Sequence, residues 1–176
     1  MTYAGNTLIQ LSGGTLAFNT FTYNASGRTL ELRSPMSCAG NLTLTAGTLD
    51  TKSGTNHALT VTGTTTIGPN SGAADQATLT CNASTISLGS GITSSAYGLY
   101  VNQGGTFTGG SGTHTLGSVV VRNNAAAKCT LTSVVTTIDG EHGGENYAIN
   151  IEGSNSVFAH GSGTVTITRA SDTRIR

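Results

Sequence analysis

One short pattern recurs three times along this chain and limits the folds that it can adopt. The pattern is a ring residue, a small residue, and two large apolar residues with one position between them, and it occupies residues 57–61, 97–101 and 147–151. A second pattern occurs at residues 77–86 and 129–138, where five positions match without a gap. Repeats of this kind are typical of solenoids and related arrays, because each unit is too small to bury its apolar face alone.

The repeats are predicted to be short β-strands, since their apolar residues alternate with others and successive side chains of a strand point to opposite faces. Eight apolar residues are expected to point inward as the rungs of a stack: Leu59, Val61, Leu79, Leu99, Val101, Leu131, Ile149 and Ile151. No stretch of ten residues shows helical periodicity. We therefore predict an all-β chain that forms a single β-solenoid of short stacked coils, with about 16–22 residues in each coil.

The N-terminal part is less regular than the rest and contains Phe18, Phe21 and Tyr23. A solenoid needs a cover over each open end of its core. We therefore expect an atypical N-terminal cap or attachment segment over residues 1–40 and solenoid repeats over residues 41–176. The core must be narrow, because Trp is absent and there are only four Phe and five Tyr.

Charge is sparse and balanced, since eight basic and eight acidic residues give a formal net charge of zero. Nucleic acids and anionic membrane surfaces attract basic proteins, so neither is expected as a partner. No apolar run of 18 residues is present, and a transmembrane helix is not expected. Residues 1–6 lack the basic start of a secretory signal peptide, which favours synthesis in a reducing cytoplasm.

Three cysteines, Cys38, Cys81 and Cys129, are too far apart for a zinc-binding pattern and odd in number for a disulfide framework. Strand alternation places Cys81 and Cys129 on the inward side, where a cysteine packs as a small hydrophobic residue. The sequence therefore predicts no metal site and no cofactor.

The densest polar cluster lies at residues 139–146 and contains Asp139, Glu141, His142 and Glu145 as a candidate contact loop. Two interpretations are open: a solvated loop at a corner, or a site that supplies a calcium ligand set or the acid/base pair of a polysaccharide-cleaving enzyme. The carboxylates do not follow a known calcium-loop spacing, and glycoside hydrolysis needs two carboxylates across a cleft. The solvated loop is favoured, no catalytic residue is assigned, and an enzyme is not expected. A change of charge at Glu141 should then leave the fold intact.

The motif Thr-x-Thr recurs along the chain, for example at residues 78–80 and 106–108. In this respect the chain resembles ice-binding β-solenoids, which carry flat arrays of the motif. Their repeat length is close to constant, so that the Thr rows align, whereas the intervals here vary. Outward Thr beside inward Leu is also expected on any Thr-rich sheet face, and ice binding is therefore a further alternative only.

The low charge, the abundance of Thr, Gly, Ser and Asn, and the imperfect tandem strands resemble the repetitive β-structured appendage proteins of tailed marine bacteriophages. The resemblance rests on residues 47–50, 58–62 and 104–110 and covers roughly residues 40–140. It implies a non-enzymatic virion structural protein, such as a capsid decoration protein or a tail fibre or spike component, made in the host cytoplasm. It also implies a homo-oligomer, with a trimer favoured, that contacts other virion proteins and has a surface glycan as a further partner.

A weaker resemblance is to the passenger repeats of large bacterial adhesins, which normally begin with a secretion signal. The main alternative is accordingly a surface adhesin or extracellular fibre subunit, located outside the cell or on its surface. A β-helix polysaccharide lyase or hydrolase that uses Asp139, Glu141 or Glu145 is the remaining alternative.

Overall fold

The computed structural model describes residues 7–9, 13–69, 76–93, 96–122, 127–142, 146–168 and 174–175. Within these ranges the chain has nineteen β-strands and no helix, which confirms the predicted all-β class. The described residues accordingly include no helix long and apolar enough to cross a membrane. The strands are β1 (Thr7–Ile9), β2 (Leu16–Phe18), β3 (Phe21–Leu32), β4 (Met36–Cys38), β5 (Leu42–Asp50), β6 (Leu59–Val61), β7 (Thr65–Ile67), β8 (Ala77–Thr80), β9 (Ile86–Leu88), β10 (Leu99–Val101), β11 (Gly105–Thr108), β12 (His114–Leu116), β13 (Val119–Val121), β14 (Lys128–Thr130), β15 (Val135–Ile138), β16 (Tyr147–Ile151), β17 (Val157–Ala159), β18 (Thr164–Ile167) and β19 (Arg174–Ile175).

The strands form three rows, and all pairings between named strands are parallel. Row one is a sheet of its own, in which β2, β4, β6, β9, β12, β15 and β18 lie side by side. Rows two and three belong to one larger sheet. Row two contains β3, β5, β7, β10, β13, β16 and β19, and row three contains β1, β3, β5, β8, β11, β14 and β17. The long strands β3 and β5 belong to both rows, because their first halves pair in row two and their second halves in row three.

The chain passes through row one, row two and row three in that order and then returns to row one, and we call one such passage a circuit. Residues that pair between successive circuits of row one are 20 positions apart for Leu16 and Met36 and 29 positions apart for Thr136 and Val165. Four of the six such spacings in row one exceed the predicted 16–22 residues, and the other two, of 20 and 22 positions, lie within that range. The strands of the later circuits stay at two to five residues, so the additional residues lie in the corners between them.

The core runs along the stack between the three rows. In row one, Leu59 pairs with Ile86 and Val61 with Leu88, and all four side chains are buried. Seven of the eight residues expected as inward rungs are at most 4% exposed, and the eighth, Ile151, is partly buried and packs against the core. Parallel pairing in register places each apolar side chain above its equivalent in the next circuit, which produces one continuous apolar interior.

The three cysteines are free and buried, as expected for Cys81 and Cys129. Burial in apolar surroundings is the main cause that raises the pKa of all three thiols. They therefore act as small apolar side chains of the core and are protonated at neutral pH.

The three ring-led repeats do not occupy equivalent positions. The copy at residues 57–61 lies in row one, whereas Leu99 and Ile149 of the other two copies lie in row two, on either side of Val119. The last two copies are therefore two circuits apart in one row, and the first belongs to a different row. A strand of three residues with two inward apolar side chains looks the same in any row, so the sequence pattern alone cannot distinguish them.

The two copies of the pattern at residues 77–86 and 129–138 do not stack in the alignment that the sequence favours. In the structure their register is displaced by two residues. Leu79 pairs with Phe107, and Phe107 pairs with Cys129 rather than with Leu131. Because side chains alternate with a period of two, a shift of two residues keeps the same face inward and preserves most of the Thr–Leu–Thr similarity. Thr132, which this alignment placed outward, is buried instead.

Strands of the predicted N-terminal cap already follow the pattern of the later circuits. β2 pairs with β4 in row one, and β3 pairs with β5 in rows two and three. Residues 1–6 and 10–12 lie outside the described ranges. The division into a cap over residues 1–40 and repeats over residues 41–176 stays a prediction.

Candidate functional site

The predicted contact loop begins directly after β15, and its first residues are tied to the corner that follows β9. Asp139 accepts a hydrogen bond from the Ser90 hydroxyl at 2.6 Å and another from the Gly91 backbone N–H at 2.9 Å, one on each carboxylate oxygen. Both oxygens of this carboxylate therefore hold the corner in place. This arrangement gives Asp139 a structural role in the connection between two circuits.

Glu141 is not a solvated residue, since its exposed fraction is only 8%. Its backbone N–H donates to the carbonyl of Ile92 at 2.9 Å. The preceding Gly140 is packed so closely that a Cβ atom there would lie 2.4 Å from the Ile92 oxygen and 2.5 Å from the Gly117 oxygen. The interpretation of residues 139–142 as a solvated protrusion is therefore wrong, because this stretch folds back against its neighbours. Glu145 lies outside the described residues.

Three rings stack on the outside of row two, with Tyr97 between His142 and Tyr100. The Tyr97 ring stacks on His142 with centroids 4.0 Å apart and on Tyr100 with centroids 4.5 Å apart. His142 is held by a short antiparallel bridge, in which its N–H donates to the Tyr147 carbonyl at 2.8 Å. We call Tyr97, Tyr100 and His142 the ring cluster.

Charged residues lie beside the ring cluster. Arg122 donates from Nη1 to the Tyr100 hydroxyl at 2.7 Å, and this hydrogen bond is the main cause that raises the pKa of Arg122. Burial raises the pKa of Tyr97, with Tyr100 and Glu152 acting in the same direction and Arg122 opposing them. Arg122 therefore places a guanidinium at the edge of the cluster.

The outer face of row two is covered near the cluster. Val119, Val120 and Val121 are consecutive in β13, and all three are fully buried. Because alternate side chains of a strand point to opposite faces, Val120 points outward and must be covered by other side chains. On this face Val120 pairs with Asn150, whose Nδ2 donates to Glu152 at 3.4 Å. The ring cluster is thus part of a second, smaller packed layer outside the main core.

The sequence identified part of this arrangement. Tyr97 was identified only as the ring residue of the repeat at residues 97–101 and His142 only as a member of the polar cluster, and the structure brings these two together. Tyr100 and Arg122 were missed, since nothing in the sequence distinguishes them from other outward residues. Of the residues that the structure describes, no group of three or more His, Cys, Asp or Glu side chains could hold a metal ion.

Outward hydroxyl side chains form ordered columns on all three rows, and in row two Thr22, Thr43 and Thr66 lie in register. In row three, Thr78 pairs with Thr106 and Thr80 with Thr108, so two complete Thr-x-Thr motifs lie in register. In row one the outward column contains Thr60, Ser87, Thr115, Thr137 and Thr166. Neighbouring residues of a column are separated by one strand spacing, about 4.8 Å. The variable circuit length does not disturb the columns, because the additional residues lie in the corners.

No protein-family model matches the chain, and neither a curated protein nor a solved structure matches it.

Proposed function

We propose that the chain is a β-solenoid and that it serves as a non-enzymatic structural component of a virion, either as a capsid decoration protein or as part of a tail fibre or spike. The observation that carries the proposal is the recurring order of the rows. Each circuit uses the same three rows, and its strands pair in parallel with the strands of the next circuit. Such a stack presents regular outer faces around one continuous core, which suits an extended structural part.

Exposed apolar side chains at one end of the stack support self-association. Val157 in β17 is 51% exposed and Ile175 in β19 is 66% exposed, and these are the last described strands of their rows. Unpaired strand edges are templates for pairing with another chain. A homo-oligomer, with a trimer as the expected form, or contact with other virion proteins would cover these side chains.

Proteomics of purified particles tests the virion role. Peptides from this chain should be found by mass spectrometry in protease-washed virus particles banded on a density gradient, at a fixed ratio to the major capsid protein. Recovery of the peptides only from the particle-free fraction would overturn the proposal. Recovery from the outer surface of bacterial cells would overturn it as well and would favour the adhesin alternative.

The aligned threonines favour ice binding as a second candidate function. The two Thr-x-Thr motifs at residues 78–80 and 106–108 lie directly beside each other, which the irregular sequence intervals did not predict. Thermal hysteresis of the purified protein measures this activity directly. A Thr106→Leu variant should reduce it, whereas a Thr55→Leu variant in the exposed corner after β5 should not. Hysteresis no greater than that of an albumin solution would exclude this candidate.

A further inference from the structure

A cleft of about 440 Å³ opens on the outside of row three, away from the ring cluster. Its polar lining includes Ser26, Arg28, Thr29, Thr48, Gln76 and Thr78. The volume falls within the range of about 300–1,000 Å³ that is usual for small-molecule sites. Nothing in the sequence analysis pointed to this place.

The wall of the cleft is a bulge in β3. Between the paired residues Asn24 and Thr29, β3 contains four residues, 25–28, where β5 contains only Gly47. The four residues must therefore project from the row. Gly47 has a φ of +85°, and a Cβ atom there would lie 2.3 Å from the Ala25 carbonyl oxygen. The bulge thus rests directly on the backbone of β5, which fixes its position.

The floor of the cleft is a column of threonines. Thr29 pairs with Thr48, and Thr48 pairs with Thr78, so three successive strands contribute one hydroxyl each. The hydroxyls repeat at about 4.8 Å, the spacing of neighbouring strands. Ser26 and Gln76 add a further hydroxyl and a carboxamide to the lining. These groups both donate and accept hydrogen bonds, which suits a ligand with many hydroxyl groups.

Arg28 gives the cleft its charge. In the part of the chain that the structure describes, this guanidinium has no ion-pair partner. The carboxylates of the neighbouring outward column have other partners. Glu31 is 2.7 Å from Arg33 Nε and 2.8 Å from Lys52 Nζ, and Asp50 accepts the Lys52 backbone N–H at 2.7 Å. An anionic ligand group would therefore meet an available cation at Arg28.

We propose that this cleft binds an acidic saccharide unit, with the sugar hydroxyls on the threonine column and the carboxylate of the sugar on Arg28. The planar guanidinium matches a carboxylate through two parallel N–H···O hydrogen bonds. A neutral sugar would use the floor but leave Arg28 without a partner, and a small inorganic anion would use Arg28 but not the floor. This binding activity is additional to the structural role and does not depend on the virion assignment.

Isothermal titration calorimetry on the purified full chain at low salt tests the proposal with three probes: trigalacturonate, maltotriose and inorganic phosphate. Trigalacturonate should bind about tenfold or more tightly than either of the others, because it alone uses both parts of the cleft. No measurable binding of trigalacturonate at about 5 mM would overturn the proposal. Equal affinity for phosphate would also overturn it, since the cleft would then be an anion site only.

Variants locate the binding. Arg28→Gln should weaken trigalacturonate binding about tenfold or more, and Arg28→Lys should weaken it less, because a lysine keeps the charge but not the paired geometry. Lys128→Gln is the matched control: it also removes one positive charge, from the outward threonine column two strands beyond Thr78, and should leave the affinity unchanged. If Lys128→Gln weakens binding as much as Arg28→Gln, binding reflects overall charge and the proposal is wrong. Circular dichroism melting curves confirm that each variant is folded.

Discussion

Acidification should destabilise the protein through one histidine of the core. His114 lies in the inward column of row one, where it pairs with Ile86 and Thr136, and its exposed fraction is zero. Its ring meets Phe107 edge-on at a centroid distance of 5.8 Å, and neither ring nitrogen makes a hydrogen bond of good geometry. Burial therefore lowers the pKa of His114 to about 4, against a smaller opposing influence of the Gly109 backbone.

The direction and size of the effect follow from proton linkage. Because the pKa is lowered in the folded state, the unfolded state binds more protons than the folded state between pH 6.5 and about pH 4, and stability is lost as the pH falls through this range. One pKa unit corresponds to about 1.4 kcal/mol, so the free energy of unfolding should fall by about 2 kcal/mol between pH 8 and pH 5 and by about 3 kcal/mol below pH 4.

Urea unfolding followed by far-ultraviolet circular dichroism at pH 8 and pH 5, at constant ionic strength, measures this difference. A His114→Leu variant is the control, since leucine keeps an apolar side chain in the column and cannot be protonated. Between pH 8 and pH 5, the free energy of unfolding of the variant should fall by about 2 kcal/mol less than that of the wild type. If the wild type and His114→Leu show the same pH dependence, the burial of a neutral His114 in the core is refuted.

Three further predictions concern single side chains. Tyr23→Phe should stabilise the fold by up to about 1 kcal/mol in urea unfolding, because the buried Tyr23 hydroxyl has no hydrogen-bond partner; a loss of stability would show that the hydroxyl is satisfied. Leu99→Asp should prevent folding, as seen by loss of the strand signal in circular dichroism, because the side chain is fully buried; a normally folded variant would refute the stacked core. Asp139→Ala should lower the free energy of unfolding by about 1–2 kcal/mol, because the Ser90 and Gly91 donors lose their acceptor, and a change within about 0.5 kcal/mol would contradict the structural role of Asp139.

The class of the fold and the inward residues could be predicted from local pattern. Alternation in short segments such as Leu59–Val61 reports which side chains point inward, because strand geometry alone determines that property. The register between circuits could not be predicted. Leu79 is matched to Leu131 by sequence but stacks in the column of Phe107 and Cys129, since a shift of two residues preserves the face and almost all of the Thr–Leu–Thr pattern.

The candidate sites depend on the corners, where the sequence carries little information. Tyr97 and His142 stack although 45 positions separate them, and this contact is set by the path of residues 139–142 back over the preceding circuits. Glu141 was expected to be solvated because it lies among glycines and charged residues, but the same path buries it. The cleft at Arg28 arises because β3 has three more residues than β5 at this point, and an insertion has no signature in a single sequence.

Distances along row one test the stacking of circuits most directly. Ala17, Thr60 and Thr166 are exposed and lie in one outward column, and the native cysteines are buried, so spin labels can be attached at introduced cysteines. Pulsed electron paramagnetic resonance should give about 19 Å for the pair at 60 and 166, four strand spacings apart, and about 29 Å for the pair at 17 and 166, six spacings apart, before allowance for the label linkers. A difference of about 10 Å between the two pairs is the predicted result. Distances beyond about 40 Å, or no difference between the pairs, would contradict the stacked rows.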